Sequence, residues 1–345
     1  MSHAKGMKRF LVAAAVAFLA GASAASAGVR DLSSTIEVEK SFAGAADDVV
    51  VHFTLRNDSA EDLYVLSWQT PLKGIQGNLF EIRRDGEPVA YTGRLYKRAK
   101  PVAADFLRIP AGESISADVE LSSVYDMSRT GEYSIQYRVP AGPNKSNVVY
   151  LGLERDERAL EPLPAEITAG GNDKYLSPSY VSCSTTRQST LVSALSNAES
   201  MSLRAKNYLL AVPSTSRSTD PAYKTWFGSY TSTRWSNVQT HYNNIYSAFN
   251  TQRVTFYCDC TDSSYAYVYA NQPYRIHLCG AFWNAPMTGT DSKAGTLIHE
   301  MSHFTVVAGT QDYAYGQTAC KNLAISSPTS ATNNADNHEY FAETR

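Results

Sequence analysis

The chain has 345 residues, of which 43% are hydrophobic and 19% charged, with a formal net charge of −2. This composition suits a folded globular protein and excludes wholesale disorder, and the near-neutral charge leaves no footprint for nucleic acid or a membrane surface. The length exceeds what one core ordinarily serves, so two domains are expected.

Lys5, Lys8 and Arg9 precede an apolar run from Phe10 to Ala20, and small residues follow, ending in Ala25-Ser26-Ala27. That is the layout of a cleaved export signal over 1–27. The run falls short of the roughly 20 residues of a membrane span. The product is therefore expected to be secreted, with no membrane span and as a monomer.

From Gly28 to about Ile167 the pattern is that of strands, among them Val49–Leu55, Leu63–Trp68, Ile115–Leu121 and Tyr133–Val139. Turn groups such as Arg56-Asn57-Asp58-Ser59 separate them. An all-β sandwich of immunoglobulin-like type is expected over 28–173. Its linker starts near 161, where Glu161-Pro162-Leu163-Pro164-Ala165 and Ala169-Gly170-Gly171-Asn172-Asp173 mark an exposed, cleavable connection.

The texture changes over 174–345. Helical spacing runs from Ser184 to Leu210. A second helical region starts at the Asp220-Pro221 cap, with a break at Gly228, and extends to Phe249. Short strands follow at Val254–Tyr257, Ala266–Tyr269 and Arg275–Leu278. A helix is expected from Ser292 to Ala308, capped by Asp291 or Ser292 and stopped by Gly309. Further helices are expected over Gln317–Ser326 and Ala335–Glu343. The fold class is thus an all-β first domain and a mainly α second domain with a small sheet.

The chemistry centres on His299-Glu300-Met301-Ser302-His303. Two histidines at i and i+4 on a helix face the same way, one turn apart, and can share one zinc ion. Glu300 can reach water activated there and act as general base. The flanks Leu297, Ile298, Phe304, Val306 and Val307 are apolar, so the helix is expected to be buried. Burying two histidines and a glutamate without a metal would be costly. A catalytic zinc needs a third protein ligand and an open position. The candidates are Asp312, His338, Glu339 and Glu343. Gly309 turns the chain back, which favours Asp312, with Glu339 as its rival.

His-Glu-x-x-His followed by Gly309-Thr310-Gln311-Asp312-Tyr313-Ala314-Tyr315-Gly316 resembles the signature of the aspzincins, the deuterolysin family of metalloendopeptidases. The resemblance is strongest to the peptidyl-Lys branch, which includes exported toxic peptidases of Aeromonas-type bacteria. It runs over most of 175–345, through Thr225–Tyr230, Leu278–Trp283, Gly295–Glu300 and Asn334–Phe341. It implies zinc ligands His299, His303 and Asp312, Glu300 as base, and Tyr315 as the phenol facing the tetrahedral oxyanion. It also implies a lysine pocket at Asp336 and Glu339, where two carboxylates would favour an ammonium.

The five cysteines, Cys183, Cys258, Cys260, Cys279 and Cys320, all lie beyond residue 180, and export argues for disulfides over a Cys-x-Cys metal site. Spacing leaves the pairing open. The resemblance implies Cys183 with Cys258 and Cys260 with Cys279, leaving Cys320 as a buried free thiol.

A peptidase cutting before lysine would split Asp173–Lys174, so self-processing of a latent precursor is expected there. The basic run Arg94–Lys100 is either a solvated loop or a source of inhibition, with Lys97 or Lys100 filling the acidic pocket. The expected partners are protein or peptide substrates and the contact between the two domains. The alternatives are a zinc peptidase of broader specificity with Glu339 as third ligand, or a non-enzymatic protein that binds a host surface.

Overall fold

The computed structural model describes residues 31–139, 144–156 and 177–345. The expected export signal at 1–27, the linker from about 161 and the Asp173–Lys174 bond lie outside the described residues.

The N-terminal region is built of strands. In chain order they are β1 (Leu32–Val38), β2 (Phe42–Ala43), β3 (Val50–Asn57), β4 (Leu63–Leu66), β5 (Phe80–Arg84), β6 (Glu87–Pro88), β7 (Arg94–Lys97), β8 (Phe106–Ile109), β9 (Ser114–Glu120), β10 (Gly131–Arg138) and β11 (Lys145–Leu153). Alternation along β3 explains the arrangement: Val51, Phe53 and Leu55 point inward, while Val50, His52 and Arg56 are exposed. One sheet has the order β1-β3-β9 and a second the order β2-β11-β10-β5-β6. Their apolar faces share one core that joins Ile36, Phe53 and Val119 to Ile82, Ile135 and Leu151.

The C-terminal region is mainly helical, with β12 (Ser179–Val181), β13 (Thr255–Tyr257), β14 (Ala266–Tyr269) and β15 (Arg275–Leu278) as its strands. Its helices are α1 (Thr185–Ala211), α2 (Pro221–Phe227), α3 (Ser232–Thr251), α4 (Gly280–Asn284), α5 (Lys293–His303), α6 (Gln317–Ser326), α7 (Pro328–Ala331) and α8 (Ala335–Glu343). Side-chain caps start the first three: Ser184 accepts from Arg187 N, Asp220 from Tyr223 N and Thr231 from Arg234 N. Disulfides join Cys183 to Cys258 and Cys260 to Cys279, and Cys320 is a buried free thiol. Among the described residues, no helix is long and apolar enough to cross a membrane.

Two sequence expectations need correction. The helix expected to reach Ala308 ends at His303, because Phe304 turns to an extended conformation and Thr305 N donates instead to Ala270 O at the end of β14. Gly309 does adopt positive φ, but as part of the turn beyond, not as the helix stop. The basic run is also not a free loop. Its first four residues form β7, which joins the sheet of the C-terminal region in the order β12-β13-β15-β14-β7. The β7–β14 pairing is antiparallel, with Lys97 opposite Ala266 and Arg94 opposite Tyr269. Leu95 faces inward and belongs to the core formed by α1, α3 and α5.

Gly228 closes α2 at φ 78°, and a Cβ there would meet Ala324 O at 1.9 Å. Gly228→Ala is therefore expected to lower the denaturant-unfolding free energy by at least about 2 kcal/mol.

Candidate active site and metal centre

All eleven residues of α5 are buried. Ser292 caps the helix through Gly295 N, and both its hydroxyl and its backbone N–H donate to Glu343 Oε1. One helical turn separates His299 from His303, and their Nε2 atoms lie 3.1 Å apart. Asp312 Oδ1 is 3.3 Å from the first and 3.4 Å from the second.

Local hydrogen bonds bring Asp312 to this point. Thr310 N donates to Ser302 O, and the Ser302 and Thr310 hydroxyls lie 2.6 Å apart. Beyond the turn, Asn334 Oδ1 accepts from Tyr313 N and Ala314 N, and its Nδ2 donates back to Ala314 O. The loop is thus clamped to α5 on one side and to the start of α8 on the other.

The histidine tautomers follow from their partners. His303 Nδ1 lies 2.8 Å from the Thr310 carbonyl and donates to it, which leaves a lone pair on Nε2. His299 Nδ1 is 2.8 Å from Asp336 Oδ1, off the line of a straight hydrogen bond, and 3.5 Å from Glu339 Oε2. Its proton belongs on that carboxylate side, so a second lone pair faces the first. Asp312 Oδ1 has no hydrogen-bond partner there.

Three electron-rich atoms converging without a shared proton fit a cation. Zinc bonds of about 2.0–2.1 Å in a tetrahedron place neighbouring donors about 3.3 Å apart, close to the separations found. A carboxylate behind a ligating histidine is the usual orienting arrangement. Glu339 stands behind the other nitrogen of His299, away from His303. Cys260, Asp262 and Cys279 also cluster, but the two sulfurs are joined to each other in one disulfide.

Glu300 lies beside the trio. Its Oε1 accepts the Lys97 backbone N–H at 3.3 Å, and its Oε2 is buried without a partner. Burial pushes its carboxyl up to about 7, against the pull of His299 and His303. Asp312 Oδ2 likewise accepts the Tyr96 N–H at 3.1 Å. The backbone N–H groups of Tyr96 and Lys97 thus both point at the histidine–aspartate centre and its glutamate.

The Lys97 side chain is fully buried, with Nζ 2.7 Å from Glu339 Oε2, 3.3 Å from Asp291 Oδ1 and 3.7 Å from Asp336 Oδ1. The Tyr265 ring closes one side, its centroid 4.9 Å from the ammonium. Burial alone would lower the lysine pKa, but Asp336, Glu339 and Asp291 together hold it well above the ordinary value. Asp336 is drawn below its usual range by Lys97 and His299 despite burial, and Gly316 N donates to its second oxygen. Lys100, the other lysine considered, is exposed and lines an 890 Å³ cavity between the two regions. Three residues beyond Lys97, it lies outside β7 and does not reach the acids.

Tyr315 borders the same cavity, with Asp312 and the Arg98 guanidinium as neighbours. Burial and Asp312 push its phenol pKa well up. His338 does not face the donor trio: it pairs with His241 at 3.0 Å and donates from Nδ1 to Asn334 O. His277 is stacked between Tyr257 and Tyr267. Sequence reasoning overlooked Asp291 as part of the acidic pocket, having read it only as a possible helix cap. It also overlooked Thr310 and Asn334, which place Asp312. Nothing in their spacing marks those roles.

Residues 213–343 match the family model described as lysine-specific metallo-endopeptidase. An extracellular protease from Aeromonas hydrophila is 40% identical over 323 residues, covering 87% of this chain and 89% of the relative. The chain belongs to the aspzincin family. It is a zinc metalloendopeptidase. A peptidyl-Lys metalloendopeptidase from Armillaria mellea is 39% identical to this aspzincin over 76% of its chain and 77% of the relative. A solved zinc peptidase from Grifola frondosa is 50% identical, with 47% of this chain and 97% of that one covered and a TM-score of 0.45.

Asp312 and Glu339 stand on opposite nitrogens of His299, Asp312 near Nε2 and Glu339 near Nδ1, so an experiment can separate the two candidates for third ligand in this aspzincin. Asp312→Ala is expected to weaken zinc binding by more than about 100-fold. Glu339→Gln, which leaves the His299, His303 and Asp312 donors in place, should cost about tenfold. Competition with a chelating dye measures both.

Proposed function

We propose that the protein is a secreted, latent precursor of an endopeptidase that cuts on the N-terminal side of lysine. The observation that carries this reading is Lys97. Its ammonium fills a buried acidic pocket while its backbone nitrogen lies 3.3 Å from Glu300. A substrate lysine held the same way brings the nitrogen of the bond to be broken to the carboxylate that must protonate it.

His299, His303 and Asp312 hold the zinc, which when bound supplies Lewis acidity toward a carbonyl oxygen and acidifies coordinated water. Glu300 takes the proton from the attacking water and passes it to the lysine nitrogen as the C–N bond breaks. Burial, which raises this carboxyl's affinity for a proton, favours both halves of that transfer. Tyr315 donates its phenol hydrogen bond to the oxygen on which negative charge develops. Asp336 and Glu339, with the part-exposed Asp291 beside them, select the side chain, because an apolar residue would leave two buried carboxylates without a counter-charge.

The strand-rich region acts as an immunoglobulin-like prodomain, ending in the linker before Lys174. It lends β7 to the cleft as an extra strand and so excludes substrate, while Arg98 occupies the neighbourhood of the Tyr315 phenol. The Asp173–Lys174 bond obeys the same lysine rule, and cutting it separates the two regions. Export is supported by the 1–27 pattern, the two disulfides and the extracellular designation of the Aeromonas relative. A role as a secreted toxin follows from the family resemblance.

Three outcomes are expected. Mass spectrometry of a digested protein mixture should show lysine at each new N-terminus; a spread of residues there would refute the lysine rule. Glu300→Ala should leave the chain uncut, and a normal product beginning at Lys174 in that variant would rule out self-processing. In a chain kept whole by Lys174→Ala, adding Lys97→Gln should raise peptidase activity at least about tenfold, since one partner of a buried ion cluster is lost.

A further inference from the structure

The outward face of the sheet behind β7 carries a row of rings. Tyr257 stacks on His277 with centroids 4.3 Å apart, and His277 on Tyr267 at 4.4 Å with planes 5° apart. These are cross-strand neighbours in register: Tyr257 opposite His277, His277 opposite Tyr267, and Tyr267 opposite Tyr96 of β7. The Arg94 guanidinium caps the row 4.5 Å from the Tyr267 centroid. Its Nε donates to the Tyr269 hydroxyl at 3.0 Å and an Nη to the Tyr96 hydroxyl at 3.3 Å. A cation over the face of a rigidly stacked tyrosine, with a phenol oxygen as acceptor, is an attractive arrangement for a guanidinium.

Arg94 stands three residues before Lys97. Two of its contacts, Tyr267 and Tyr269, belong to β14, which remains when β7 leaves. We propose that Tyr267 and Tyr269 form a substrate subsite for a guanidinium side chain three residues N-terminal to the lysine whose bond is cut. This rests on the reading that β7 lies in the cleft as a substrate does. The two residues between them fit the register: Leu95 turns inward opposite Val268, on the face it shares with Lys97, and is 2% exposed, while Tyr96 lies opposite Tyr267 on the outward face it shares with Arg94. Arginine suits this position for a further reason. A lysine there would itself become a cleavage point, whereas an arginine does not enter the rule.

The test uses enzyme matured from the full chain and four peptides built on Xaa-Leu-Tyr-Lys, with Xaa as Arg, citrulline, Ala or Glu. Citrulline keeps the shape of arginine, its Nε–H and one NH2 group, without the charge. The expected order of kcat/KM is Arg, citrulline, Ala, Glu, with Arg about three- to tenfold above Ala. The ratio of Arg to Ala should fall in Tyr269→Phe, which removes the acceptor. Equal kcat/KM for all four, with the cut still before lysine, overturns the subsite and leaves the lysine rule standing. Cleavage elsewhere in the peptides overturns the lysine rule and the subsite with it.

Discussion

A lysine ammonium with no exposed surface is tolerated only because three carboxylates and a tyrosine ring surround it. Removing Lys97 from water carries a desolvation cost that Glu339, Asp291 and Asp336 offset through short ion pairs. The exchange is mutual, since without the cation Asp336 and Glu339 would be like charges buried side by side. Asp336 serves a second partner, His299, so the charge balance of the lysine pocket reaches the donor trio on the other side of the imidazole.

The same economy governs α5. A fully buried helix carrying two histidines and a glutamate would be expensive if its polar atoms lacked partners. The Thr310 carbonyl and the Asp336 side orient the imidazole protons outward, so the lone pairs face inward. Asp312 Oδ1 and Glu300 Oε2 are among the buried atoms left without a hydrogen bond, and in the proposed reading they lie where a cation and a proton in transit belong. Rigidity comes from neighbours that do no chemistry: Ser302 and Thr310 pin one end of the loop, Asn334 the other, and Ser292 with Glu343 the helix start. Such support keeps reacting groups within a fraction of an ångström of their working positions.

The joint between the two regions is a sheet continued across them. Backbone pairing of β7 with β14 fixes the register, Leu95 completes the helical region's core, and Lys97 enters the acid pocket. In the proposed reading this is how latency is built without a dedicated inhibitory motif. A strand resembling a substrate is held by the fold of the strand-rich region. Its release would leave an open sheet edge and an apolar vacancy, both of which an extended substrate peptide can fill.

Much of this was legible along the chain because it is periodic. The i, i+4 spacing of His299 and His303, the alternation of β3, the Asp220-Pro221 cap and the change of texture after residue 174 are local, and local geometry follows from neighbouring residues. The helix limit at His303 was not legible, because Thr305, just past α5, donates to the carbonyl of Ala270, which follows β14 and is distant in sequence. Neither was β7: Arg94–Lys97 is short and charged, and only its partner strand makes it part of a sheet. The His-Glu-x-x-His spacing by itself determined that this chain presents a zinc-binding helix. The family resemblance already pointed to Asp312 and to the Asp336/Glu339 pair; that Asp291 joins those acids, and that Lys97 rather than Lys100 enters among them, were decided by tertiary structure. Those contacts join residues far apart along the chain, and a pocket's charge is the sum over elements that only folding brings together.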